Sequence, residues 1–153
     1  MMRIMRCSSV HSSGARKLIE RILEGEFKYR AKKRPDIIDI KGFYQKGKGN
    51  FWVAIGDGRV VGTIAIKDYG RNRGYLKRMF IDKEFRGSGL AQKMLRHALS
   101  HAKSKGFSAV YLATVKKMKA AIRFYEKNGF RRIERLPRDL PDFGDTEFYI
   151  MRL

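Results

Sequence analysis

The 153-residue sequence holds a single cysteine, Cys7, so no disulfide can form within the chain, and a reducing, cytoplasmic setting is the expectation. Proline is scarce as well, at three residues, which leaves no proline-rich linker or collagen-like repeat. No apolar run reaches the roughly 18 residues that a membrane span needs. The opening MMRIMRCSSVHSSGARK lacks the long apolar block of a secretory signal, so no membrane partner is expected. Negative charge is in short supply too: fifteen Asp and Glu face thirty-five Lys and Arg, a net charge of +20. That imbalance suits an anionic partner such as a phosphorylated cofactor, nucleic acid or the ribosome. A basic, solvated surface is the plainer reading, because only KYRAKKR (28–34) and the stretch 71–78 are dense in cations.

What is present describes one globular domain. Apolar residues make up 43%, enough for a full core in a chain of this length. Arg3 to Cys7 suits a short strand. A helix is expected from Ser12 or Ser13, with Leu18, Ile19, Ile22 and Leu23 at helical spacing and Gly25 as its stop. KYRAKKRP reads as a loop, and Ile37, Ile38, Ile40, Phe43 and Tyr44 as a second short helix. Strand-like runs follow at 51–56 and 59–68, joined across the hairpin signal Gly56-Asp57-Gly58, and at 74–82. Short connections predict antiparallel neighbours. The period then changes: Leu90, Ala91, Met94, Leu95, Ala98, Leu99 and Ala102 mark one helix face, ended by Gly106. SAVYLAT (108–114) is a buried strand, parallel to 74–82 because a helix separates them. A helix near 117–128, a strand near 130–134, a proline-bearing loop (136–142) and a closing strand (145–153) complete the chain. DTEFYIMRL (145–153) is a candidate edge strand through which a monomer could become a homodimer.

The sharpest local signal is FRGSGLA, Phe85 to Ala91, where a strand hands over to the long helix. Glycine inside regular structure costs roughly 0.5–1 kcal/mol relative to alanine, so two around one serine imply a sharp turn or a close approach. The first amides of a helix have no internal partner and carry partial positive charge, which suits a phosphate. Arg86 adds a full charge and a fork of donors. The dinucleotide fingerprint fails, because Gln92 stands where its third glycine belongs, and the P-loop pattern is absent. Taken alone, the turn is equally an ordinary glycine-rich corner with a capping serine.

The turn does not stand alone. Arg86-x-x-Gly89-x-Ala91, between YLKRMFI (75–81) and the long helix, resembles the R/Q-x-x-G-x-G/A cofactor motif of the GNAT family of acyl-CoA N-acyltransferases. AAIRFYEKNGF (120–130) is similar to that family's second signature, and FWVAIGDGRVVGTIAI (51–66) to its upstream hairpin. The resemblance covers residues 50–153 best. It implies a single-domain α/β fold over 1–153. In that fold a mixed, mostly antiparallel sheet of six to seven strands is flanked by about four helices, and its central parallel strand pair is splayed. The implied activity is N-acetyl transfer from acetyl-CoA to a primary amine of a small molecule or peptide, by direct attack in a ternary complex.

By the same resemblance the pyrophosphate of acetyl-CoA lies on the amides of Arg86, Gly87, Ser88, Gly89, Leu90 and Ala91. The pantetheine arm pairs with Met79, Phe80 and Ile81, and Phe124 of the second signature belongs to the cofactor side. Tyr125 occupies the position of the tyrosine that protonates the departing thiolate; its plain alternative is a core aromatic. The chain departs from the family at Met118, where an asparagine is frequent, so a polar contact there falls to Thr114, Lys116 or Lys119. Acceptor-pocket candidates are Phe27, Tyr29, Phe43, Tyr44 and the 136–145 loop, and basic groups such as Lys28 or Arg34 favour an acceptor carrying negative charge. Glu84, Asp82 and Glu26 are candidate bases. His97 and His101 lack a third ligand, so no metal is expected, and Cys7 is read as packed. Two rival readings stay open: a nucleic-acid or ribosome-associated module on this scaffold, and an acyl-CoA sensor without turnover.

Overall fold

The computed structural model describes residues 2–29 and 33–153. Seven strands form one mixed sheet in the order β1-β2-β3-β4-β5-β7-β6. They are β1 (Arg3–Arg6), β2 (Asn50–Gly56), β3 (Arg59–Asp68), β4 (Arg73–Ile81), β5 (Ala109–Thr114), β6 (Arg131–Ile133) and β7 (Glu147–Arg152). Asp57 and Gly58, both at positive φ, close the β2–β3 hairpin as its sequence predicts. All pairings are antiparallel except β4–β5, which the long helix connects. DTEFYIMRL is not an edge: β7 lies between β5 and β6, because 131–133 pairs along its outer side.

Among the described residues five α-helices accompany the sheet: α1 (Ser9–Arg21), α2 (Pro35–Ile38), α3 (Ile40–Tyr44), α4 (Leu90–Ser104) and α5 (Lys119–Lys127). The first starts earlier than its serines suggest, with Ser8 as N-cap, and a π-helical turn over Ile22–Glu26 carries it through Gly25. The apolar run of 37–44 makes two helices, because Asp39 leaves helical geometry and caps α3 through the Gly42 amide. Part of the KYRAKKRP loop, residues 30–32, lies outside the described residues.

Both sheet faces are covered, so strand residues divide by alternation. Trp52 and Ala54 join Met94, Leu95 and Ala98 of α4 in one core, while Phe51 and Val53 join Leu18 and Ile19 of α1 in the other. The predicted face of α4 is the buried one. Cys7 is buried in the second core, where burial raises its thiol pKa. Among the described residues no helix is long and apolar enough to cross a membrane.

The sheet opens at its centre. Parallel pairing of β4 with β5 covers only Arg73↔Ala109, Gly74↔Val110 and Tyr75↔Tyr111, and beyond Tyr75 the two strands part. On its other side β4 carries a bulge. Thr63 faces Phe80 and Ala65 faces Lys77, so β4 holds one residue more than β3 between these pairs. Arg78 sits in the bulge at φ 55°, a left-handed conformation that strains a non-glycine residue. It is held there from two sides. Its carbonyl accepts from Thr63 Oγ1 at 2.7 Å, and its guanidinium donates to both oxygens of Asp36 at 2.8 and 2.9 Å. Tyr44 Oη donates to the same carboxylate at 2.5 Å. Burial opposes the ionised form of Asp36, but the Arg78 and Tyr44 hydrogen bonds and the Arg78 charge keep its pKa below the usual value.

Removing one partner of a buried pair leaves the other charge uncompensated, at a cost of about 3–5 kcal/mol. Asp36→Ala is therefore expected to lower stability in urea unfolding by roughly 3 kcal/mol or more. Glu20→Ala, which breaks the exposed pair with Arg16, should change it by less than about 1 kcal/mol.

Candidate active site

Where β4 and β5 part, the structure contains a cavity of about 610 Å³. Residues 75–80 form one wall and 112–115 the other. Met118, Ala121 and Tyr125 line it from the α5 side, Leu23, Tyr29 and Arg34 from the N-terminal segment, and 143–145 from the long loop. The parallel ladder stops at Tyr75, so residues 76–81 run along an edge of β4 that β5 does not cover. Such an edge can accept an extended ligand by strand-like hydrogen bonding. Met79 and Phe80 line the cavity from this edge, and Ile81 is buried, its carbonyl accepting from Arg86 Nε at 2.9 Å.

The glycine turn begins just beyond β4. A 3₁₀ turn at Lys83–Phe85, capped by Asp82, leads into Arg86-Gly87-Ser88-Gly89 and then into α4. Gly87 has φ 77° and Gly89, the N-cap, φ 84°. A Cβ built on either would meet no atom within 4 Å. Backbone handedness, not crowding, calls for glycine here, and the space beside the turn is open. Ser88 Oγ donates to the Phe85 carbonyl, tying the turn back on itself. Leu90 is anchored in the core while Ala91 is only partly buried. The opening amides of α4 therefore combine lack of intrahelical partners, partial positive charge and room for a phosphate. The Arg86 fork is engaged: it donates to Glu26 Oε1 at 2.7 Å and Oε2 at 3.0 Å.

Tyr125 is buried, makes edge contacts with Phe124 and Phe130, and lines the cavity. Burial raises its pKa, so the phenol keeps its proton throughout the neutral range. Phe124 is packed against the core outside the cavity wall. Thr114 and Met118 both line the cavity, and Thr114 Oγ1 contacts the Met118 sulfur at 3.5 Å.

The acceptor candidates divide. Tyr29 lines the cavity, with Lys117 Nζ 3.8 Å from its ring centre. Phe27 does not; its carbonyl accepts from Lys117 Nζ at 3.2 Å. Tyr44 does not reach the cavity either: it is fully buried behind Arg78 on Asp36. Arg34 lines the wall and donates to Glu24 at 3.1 Å. The candidate bases lie elsewhere, each on arginine: Asp82 on Arg21 and Arg59, Glu84 on Arg59, Glu26 on Arg86. All three line a separate cleft of about 510 Å³. His97 and His101 pack edge-on against Trp52, and no acid, cysteine or histidine cluster among the described residues could hold a metal.

Sequence reading missed Tyr75, Lys77 and Arg78, while Phe143, Gly144 and Asp145 come from the 136–145 loop that it offered. One signal for the missed residues existed: Lys77 and Arg78 interrupt an otherwise apolar strand, YLKRMFI, where charge needs a reason. Lys77 lines the cavity with its Nζ 3.7 Å from the centre of the Phe143 ring. Burial lowers its pKa to about 8, helped by the Arg78 charge and opposed by Asp36 and Asp145.

The open parallel strand pair beside a glycine-turned helix N-terminus agrees with the fold that the two sequence signatures imply. The chain belongs to the acetyltransferase (GNAT) family, whose model matches residues 16–130. It is 37% identical over 118 residues to N-acetylaspartate synthetase of Danio rerio, covering 76% of this chain and 38% of that protein. It is 42% identical over 98 residues to N-acetylaspartate synthetase of Rattus norvegicus, covering 63% and 33%. The chain thus spans little more than a third of the length of these curated relatives. Among solved structures, a GNAT-family acetyltransferase from Staphylococcus aureus MU50 matches at TM-score 0.94 and 30% identity over 99% of both chains. The PaiA N-acetyltransferase of Thermoplasma acidophilum, solved with coenzyme A, shares the fold at TM-score 0.80 and 16% identity, over 100% of this chain and 99% of that one.

The desolvated ammonium of Lys77 is expected to cost stability. Its folded pKa lies below that of an unfolded lysine, so the penalty is full below pH 8 and fades as pH rises toward about 10.4. Lys77→Met should raise the melting temperature at pH 7 by roughly 2–4 °C, the shift for about 1 kcal/mol in a chain of this size. The gain should shrink when the melts are repeated at pH 9 and 10.

Proposed function

We propose that this protein transfers the acetyl group of acetyl-CoA to the primary amine of a small molecule, by direct attack in a ternary complex. The observation that carries the reading is the convergence, on one cavity, of the uncovered β4 edge and the buried Tyr125, with the open N-terminus of α4 just beyond β4. Acetyl-CoA supplies an activated thioester. The turn fits its pyrophosphate, because Gly87 and Gly89 leave open space beside amides that have no helical partner.

The roles follow from position. The amides from Arg86 to Ala91 bind the diphosphate. The backbone of Met79, Phe80 and Ile81 holds the pantetheine arm as a strand would, and an amide of this stretch polarises the thioester carbonyl. As the amine nitrogen bonds the carbonyl carbon and the carbon–sulfur bond breaks, Tyr125, protonated at neutral pH, gives its proton to the sulfur, and the proton shed by the nitrogen returns to the phenolate through water. Arg86 can exchange Glu26 for phosphate at little cost, because their pair is partly exposed and such pairs contribute little. The names of the curated relatives make aspartate the first acceptor to test.

Two measurements test this reading. Release of coenzyme A thiol, followed across amino acids, polyamines and peptides, should show turnover. In it Tyr125→Phe should lower kcat by about a hundredfold or more, the usual worth of a general acid. Coenzyme A affinity by calorimetry should stay within about twofold, and undiminished turnover would remove Tyr125 from the mechanism. In the same titration Glu26→Gln should tighten coenzyme A binding about fivefold, the equivalent of roughly 1 kcal/mol, by releasing the Arg86 fork.

A further inference from the structure

The closed end of the cavity, where the β4–β5 ladder stops, holds two donors that the acetyl-transfer scheme leaves unused. Tyr75 is 2% exposed, and its Oη finds no hydrogen-bond partner among the described residues. A buried hydroxyl without a partner is costly and calls for an explanation. Lys77 lies two residues along the same strand, hence on the same face for a regular stretch preceding the bulge. Its ammonium rests on the ring of Phe143, 3.7 Å from its centre, instead of on a carboxylate. Tyr75 meets the same ring edge-on at 5.8 Å. Phe143 is 47% exposed, so the group that covers the lysine is itself easily displaced.

We infer that Lys77 and Tyr75 form a carboxylate subsite, and that the acceptor is an amino acid or a similar amine bearing a carboxylate. This inference rests on the acetyl-transfer reading and narrows its acceptor. One ammonium and one hydroxyl match the two oxygens of a carboxylate, each donor taking one; a phosphate would call for more donors. The neighbouring charges also favour a singly charged group. Arg78 is neutralised by Asp36, and Asp142 and Asp145 add negative potential near Tyr75. Arg34 lines the same cavity and is paired with Glu24. Lys77, whose ammonium rests on the Phe143 ring, therefore supplies the positive charge to which an anion would come. The acceptor's carboxylate then lies at the closed end of the V. Its amine points toward the open end, where Met79 and Phe80 border the thioester channel.

The test uses a carboxylate without an amine and matched acceptors with and without the acid. Succinate is titrated calorimetrically into the protein saturated with coenzyme A. Binding is expected in the wild type, weakened at least tenfold in Lys77→Met, several-fold in Tyr75→Phe and less than threefold in Lys77→Arg. Coenzyme A affinity, unchanged across the set, shows that each variant is folded. In parallel, thiol release is measured with aspartate, glutamate, methionine and β-alanine and with their α-carboxamides (for β-alanine, its carboxamide). The acids should exceed the amides at least tenfold in kcat/KM, and Lys77→Met should erase that ratio through KM. Equal use of acids and amides by the wild type, or succinate affinity indifferent to Lys77→Met, overturns the subsite while acetyl transfer stands. Lys77-dependent succinate binding with no amine turned over sustains the subsite and removes the transfer reaction.

Discussion

The buried pair between Arg78 and Asp36 anchors the β4 bulge beside the point where the sheet opens, and the cavity lies in that opening. Arg78 occupies a left-handed backbone conformation that a non-glycine residue adopts at a cost of order 1–3 kcal/mol. Thr63 fixes its carbonyl, and Asp36, buttressed by Tyr44, fixes its guanidinium. The extra residue this accommodates bends β4, and the ladder to β5 ends after three pairs. Backbone groups from Leu76 onward lose the neighbour that an intact sheet would give them. A chain rarely leaves such groups unmet unless something else meets them. The strained bulge and the uncovered edge adjoin on β4, and the cavity lies beside both.

The two ends of that channel are built by different physics. At the open end the elements proposed for recognition are backbone: helix amides with no internal partner, beside glycines whose conformation leaves the space open. No side chain is indispensable there, and the Arg86 guanidinium is occupied by Glu26. At the closed end the elements are side chains, Tyr75, Lys77 and Phe143, held at a stability cost that a purely structural strand would avoid by using apolar residues. Between them Tyr125 joins the core through its ring and the cavity through its place in the wall. Core packing and proton donation are thus compatible readings of one residue, and burial serves both by keeping the phenol protonated.

The segment from Ile22 to Tyr29 ties the ends together. Its π-helical turn delivers Glu26 to Arg86 beside the glycine turn, and three residues later Tyr29 lines the cavity under Lys117. Lys117 also donates to the Phe27 carbonyl, which couples this segment to the stretch linking β5 to α5. This segment thereby contacts both the glycine turn and the stretch leading into α5.

Much of this was legible from residues alone, for a definite reason. Hairpin turns, the buried face of α4, the handover at Phe85–Ala91 and the parallel placement of 109–114 rest on local periodicity and turn chemistry, which the chain carries within ten or fifteen residues. The bulge left no such mark, since no glycine or proline announces it and Arg78 reads as one more cation in a basic chain. Its anchor lies 42 residues away on Asp36, and only the folded sheet brings the two together. The same holds for Tyr44, which sequence offered as a pocket residue and packing buried on that carboxylate, and for β7, whose neighbours depend on where 131–133 docks. Local order, and with it the family and the glycine turn before α4, followed from short-range rules. Which donors face the acceptor, and which are spent on one another, was decided by long-range contacts, because charge pairing and burial act through space and not along the chain.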